Sequence, residues 1–201
     1  MEKIIEKIFQ ESIRLKQAFL RDNIEKMAAL AEKVASAFAA DRKLMICGNG
    51  GSAADSQHLA AEFINRYRIE RPPLPAMALT TDTSVITSIG NDYSFRSVFS
   101  KQVKALGTEG DVLLALSTSG GSENVHQAVL DARALGLYTA AFLGGDGGVI
   151  ADVVDLALIV NSTDTPRIQE VHITAGHALC HLIDHLLFNE RSLNHKSGLD
   201  P

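Results

Sequence analysis

Lys43-Leu44-Met45-Ile46-Cys47-Gly48-Asn49-Gly50-Gly51-Ser52 is a short apolar run halted by glycines, and an alanine-rich helical pattern follows it to about Arg68. The apolar period changes across the loop, so the stretch predicts a strand, a loop and a helix in succession. The same order returns at Asp111-Val112-Leu113-Leu114-Ala115-Leu116. There the loop is Ser117-Thr118-Ser119-Gly120-Gly121-Ser122, and the helix runs from about Glu123 to Leu135 with Gly136 as its stop. Further strands are expected at Ala76 to Leu79, Tyr138 to Leu143 and Leu156 to Val160. Helices are expected at Tyr93 to Leu106, near Val149 to Val153 and at Arg167 to Phe188. Alternating strands and helices imply a parallel α/β sheet covered on both faces.

Ahead of this alternation, 2–19 and 24–38 carry apolar residues at roughly helical spacing and read as two amphipathic helices. The chain has 201 residues and no linker-like stretch, which fits one domain over 1–190 with a loose tail over 191–201. With 19 Lys and Arg against 24 Asp and Glu, and no basic run, nucleic acid is not an expected partner. Apolar runs such as Val112 to Leu116 are too short to span a membrane. The amino terminus mixes charge with apolar residues, unlike a secretory signal, so a cytoplasmic location is expected. Cys47 and Cys180 lack CxxC spacing and read as packing thiols.

The hydroxyl-rich loop from Ser117 to Ser122 carries the strongest ligand signal. A loop at the carboxyl end of a parallel strand opens at the ligand crevice, and the next helix points free N–H groups and its positive dipole end there. Ser117, Thr118, Ser119 and Ser122 add donors, while Gly120 and Gly121 allow close approach, which suits a phosphate monoester. An ordinary turn with Ser122 as N-cap is the plainer alternative. The loop Gly48 to Ser52 offers a second backbone nest but no dinucleotide fingerprint, because Ala53 stands where the third glycine belongs. No nucleotide cofactor is expected.

His58 and Glu62 stand four apart on the helix leaving the first glycine loop, on one face and about 6 Å apart along the axis. Such a pair suits one divalent metal, or an acid and a base for one substrate; a surface pair is the plainer reading. The last helix carries four of the seven histidines: His172, His177, His181 and His185. At about 100° per residue, Glu170, Ile173, His177, His181 and Asp184 share one side, which reads most simply as a solvated face. His181 and His185 are expected to face solvent or play a secondary part. Gln169 and His177 lie about 12 Å apart along this helix and roughly 80° apart around it. If both serve one kind of site, the geometry suggests that different subunits of an oligomer supply them.

Taken in order, Gly48-Asn49-Gly50-Gly51-Ser52, His58 with Glu62, Gly90-Asn91-Asp92, Ser117 to Ser122, and Arg167-Ile168-Gln169-Glu170 with His177 resemble the motifs of the phosphoheptose isomerases, members of the sugar isomerase (SIS) family. The resemblance runs from residue 1 to about Phe188. It implies a single SIS domain with its core at about 37–190, a flavodoxin-like parallel sheet, and a homotetramer with active sites at subunit interfaces. The implied reaction converts sedoheptulose 7-phosphate to D-glycero-D-manno-heptose 7-phosphate, the first step towards the ADP-heptose or GDP-heptose precursors of lipopolysaccharide and other surface glycans.

By the same resemblance, Glu62 is the base between C1 and C2 and His177 its acid or base partner. His58, Glu62, Gln169 and His177 resemble the ligands of one zinc ion per subunit. Ser117, Thr118, Ser119 and Ser122 resemble the phosphate cradle, and Asn49, Gly50, Gly51, Ser52, Asn91, Asp92 and Gln169 further substrate contacts. Gly121 and Pro166 depart from the residues many or some members carry there, Asn and Asp. A relative that associates with the replication initiator DnaA shares several stretches, so a non-catalytic binding module is the alternative. That relative resembles a form lacking the catalytic histidine, whereas His177 is present here.

Overall fold

The computed structural model describes residues 1–194, with side chains through Phe188. Its elements in chain order are α1 (Glu2–Ala39), β1 (Leu44–Gly48), α2 (Gly51–Ile64), β2 (Ala76–Ala78), α3 (Thr83–Asp92), a 3-10 turn (Phe95–Ser97), α4 (Ser100–Leu106), β3 (Val112–Ser117), α5 (Glu123–Ala134), β4 (Tyr138–Gly144), α6 (Gly148–Ala151), β5 (Leu156–Val160) and α7 (Thr165–Asn194). Five parallel strands form one sheet in the order β2-β1-β3-β4-β5. That order is the flavodoxin-like one, with its switch point between β1 and β3.

Side chains alternate across the sheet because the strand period is two. Leu44, Ile46, Leu114, Leu116 and Phe142 face the layer of α1, α2 and α7, whose Val34, Leu59, Phe63, Val171 and Leu179 complete one core. Met45, Cys47, Leu113, Ala115 and Leu143 face the opposite layer, where Val103 of α4 and Val125 and Val129 of α5 cover them. Central strands β1 and β3 are buried throughout, which is why they read as unbroken apolar runs.

The two expected amino-terminal helices are one, α1, of 38 residues. Nothing in Leu20-Arg21-Asp22-Asn23 breaks a helix. Instead two apolar stripes share the helix: Leu15, Phe19, Met27, Leu30 and Val34 are buried, whereas Ile4, Ile8, Phe9, Leu20 and Ile24 are exposed. The change of stripe imitates a change of helix. Asn23 is itself buried and donates to the carbonyls of Phe19 and of Ile159 on β5.

The helix expected over Tyr93 to Leu106 is also different. Ser94 accepts a hydrogen bond from the Arg96 amide and opens the 3-10 turn, so regular helix begins only at Ser100. Helix α3, which the apolar pattern does not announce, starts where Asp82 accepts from the Val85 amide at 2.9 Å, a side-chain N-cap. Helix α7 continues to Asn194, into the expected tail; 195–201 lie outside the described residues.

Candidate active site

The loops after β1 and β3 meet at the carboxyl edge of the sheet. Asn49 and Asn124 exchange side-chain amide hydrogen bonds of 2.8 and 2.9 Å, and Asn124 also accepts from the Val125 amide. This pair ties the first glycine loop to the start of α5. Ser52 is buried in the first turn of α2, where its carbonyl accepts from Ser56. Gly50 and Gly51 are exposed, and Gly50 has φ +56°. Gln169 lies against Gly51: a Cβ there would fall 2.4 Å from its Nε2.

In the hydroxyl-rich loop, Ser117 is buried and its Oγ sits 3.1 Å from that of Ser122. Ser122 occupies the N-cap position of α5 yet makes no side-chain capping bond, which departs from the plain N-cap alternative. Thr118 and Ser119 line an open crevice of about 750 Å³ shared with Asp146 and Ser162. Gly120 has φ +65°, and a Cβ on it would meet the Gly147 carbonyl at 2.1 Å; only glycine permits this contact with the loop after β4. Asn91 and Asp92 are exposed at the end of α3, hydrogen-bonded to each other at 2.8 Å.

Helices α2 and α7 run side by side in the same direction, Gly51 beside Gln169, Leu59 beside Gly176 and His58 beside His177. A spacing of four residues, about one turn, puts His58 and Glu62 on one face of α2, where His58 Nε2 lies 3.4 Å from Glu62 Oε1. His58 Nε2 is 2.7 Å from His177 Nε2, a distance that requires one ring to donate and the other to accept. Ligand atoms of His58, Glu62 and His177 all lie within 4.8 Å of one another. Two imidazoles and a carboxylate are donors that zinc accepts, so these residues fit the metal. Gln169 packs against Gly51, seven residues before His58 on α2.

Three neighbours of the group escaped the sequence reading. The Tyr67 ring stacks on His177, centroids 5.6 Å apart and 23° between planes, and meets His181 edge-on. Asp55 sits one turn before His58; burial pushes its carboxyl above the usual range, with His58 and His177 opposing that shift, and its Oδ2 is buried with no hydrogen-bond partner among the described residues. Arg71 reaches the end of α2 and pairs with Asp184 of α7 at 2.7 Å, both buried. The polar side of α7 is therefore no simple solvated face, although His181 on it is exposed.

The sequence pattern of the SIS domain family matches residues 8–144. A phosphoheptose isomerase of Clostridium acetobutylicum is 49% identical over 193 residues, 95% of this chain and 98% of that protein. The chain belongs to the phosphoheptose isomerases of the SIS domain family. Among solved structures, the phosphoheptose isomerase of Neisseria gonorrhoeae superposes with a TM-score of 0.86 at 47% identity, covering 91% of this chain and 98% of that one. That from Francisella tularensis gives a TM-score of 0.88 at 39% identity, covering 91% and 97%. These relatives carry the isomerase name rather than that of a DnaA-associating module, and His177 stands beside His58. Among the described residues no helix is long and apolar enough to cross a membrane.

Proposed function

We propose that the protein interconverts sedoheptulose 7-phosphate and D-glycero-D-manno-heptose 7-phosphate by proton transfer through an enediol, at the head of a route to ADP-heptose or GDP-heptose. The convergence of His58, Glu62 and His177 carries the reading, and the named relatives support it. The Glu62 carboxylate takes a proton from C1 of the open-chain ketose and returns one to C2. His177 moves the matching proton between the two oxygens or serves ring opening. The phosphate rests on Ser117, Thr118, Ser119 and Ser122 before the positive end of α5, and Asn49, Gly50, Gly51, Ser52, Asn91, Asp92 and Gln169 position the sugar.

His58, Glu62 and His177, with Gln169 as a fourth ligand, would hold zinc. When bound, the ion polarises the sugar oxygens and stabilises developing negative charge. Gln169 of α7 packs against Gly51 at the start of α2, and Gly51 is seven residues and about 10 Å of helix from His58, which supports delivery of Gln169 from another subunit of a homotetramer. An apolar groove of about 430 Å³ between α1 and α7, lined by Phe19, Leu20, Ile24, Met27, Val171 and Leu182, supports association. Two buried free thiols suit a reducing cytoplasm.

The test is to incubate the zinc-supplied protein with sedoheptulose 7-phosphate and follow the sugar by NMR. Appearance of the heptose aldose is expected; no turnover by folded protein would overturn the reading.

A further inference from the structure

Resting on that isomerase reading, we propose that Arg71 is a positioning residue, a buried clamp that sets the spacing of α2 and α7 and so the approach of Glu62 to His177. Arg71 lies in the irregular segment between α2 and β2, with its side chain 1% exposed. Its Nη2 donates to the Glu62 carbonyl at 2.9 Å and its Nη1 to the Phe63 carbonyl at 2.7 Å and that of Pro72 at 3.1 Å. Its Nε donates to Asp184 Oδ1 at 2.7 Å. The last carbonyls of a helix lack partners within it, and a cation there also opposes the negative dipole end. One guanidinium therefore closes α2 at the backbone of the residue whose carboxylate does the chemistry.

Asp184 lies seven residues beyond His177, two helical turns along nearly the same face. Bonding it to the end of α2 joins the helices below the His58 to His177 contact. At the level of that contact Gly176 lets them touch, since a Cβ there would fall 2.6 Å from Leu59 Cδ2. One close contact and one clamp fix both separation and tilt. A lysine has the charge but not the planar fork that reaches two helices at once. Buried ion pairs are a poor source of net stability, so geometry is what this one supplies.

The experiment compares Arg71→Lys with Asp111→Asn, which disturbs another buried carboxylate, bonded to Lys43 and Thr108 at the amino-terminal ends of β1 and β3. Arg71→Lys is expected to lower kcat by about ten- to a hundredfold, because small misplacements of reacting groups cost that much. KM and inhibition by inorganic phosphate should stay within about twofold, since the phosphate loop is not touched. Asp111→Asn should lower the melting temperature and leave kcat alone. Asp184→Asn is read in the same way if Arg71→Lys does not fold. The side-chain 15N resonances of His58 and His177 should move in the clamp variants and not in Asp111→Asn. Equal kcat at matched loss of melting temperature, or unmoved imidazole resonances, would overturn the clamp. Absence of turnover in wild type would instead count against the isomerase reading, and the imidazole resonances alone would then decide for or against the clamp.

Discussion

His58 and His177 are 119 residues apart in the chain, and their Nε2 atoms are 2.7 Å apart. Each stands near the middle of its helix, and Glu62 completes the group from the next turn of α2. His58 is exposed and shares a hydrogen bond with His177, so His58→Ala should change unfolding free energy by no more than about 1.5 kcal/mol, the net worth of a hydrogen bond. Zinc affinity, measured by chelator competition, should fall sharply. Unchanged affinity would remove His58 from the ligand set.

Gln169 and His177 are expected to reach one active site from different subunits. Gln169→Ala and His177→Ala should each be inactive alone. Refolding the two variants together should restore turnover, because some sites then receive both wild-type side chains. No recovery in mixed oligomers would place both residues in one chain's site.

The serine loop depends on Gly120, whose Cα faces the Gly147 carbonyl at positive φ. Gly120→Ala should cost about 1–3 kcal/mol of stability through backbone strain and forced separation of the two loops. It should also raise KM for the sugar phosphate, and inorganic phosphate should inhibit less. A stable variant with unchanged KM would contradict a phosphate site here.

His172 sits wholly buried on α7, its Nε2 bonded to the Leu143 carbonyl at 3.2 Å. Burial lowers its pKa to about 4, against a partial rise from the Leu143 bond. The unfolded chain therefore takes up this proton first. Stability is complete above about pH 6.5 and declines as pH falls towards 4, with a loss of about 2 kcal/mol between pH 7 and pH 5. Denaturant unfolding of wild type and His172→Gln at the two pH values checks this, the variant being expected to lose the smaller amount.

Strands β1, β3 and β4 and their loops were legible because each buried apolar run stops at glycine or serine, and the half-buried β5 because its apolar run stops at Asn161. Helix α3 was not, since Thr83, Val85, Ile86 and Thr87 are β-branched and suggest no helix, although Asp82 supplied a cap. His58 and Glu62 were readable from their spacing, and both cysteines are buried as expected, Cys47 with its thiol pushed up to about 12 by burial. Tyr67 beside His177, Asn49 with Asn124 and Arg71 with Asp184 join residues distant in the chain, and no local period announces them. The placement of Gln169 depended on how α7 lies against α2, which is a property of packing.

The most direct measurement follows sedoheptulose 7-phosphate by NMR in deuterated water with wild type, Glu62→Gln and His177→Ala. Wild type should form the aldose with deuterium at C2, while Glu62→Gln and His177→Ala remain folded and lose turnover by about a hundredfold or more. Full turnover by Glu62→Gln would contradict the assignment of Glu62 as the base that moves the proton.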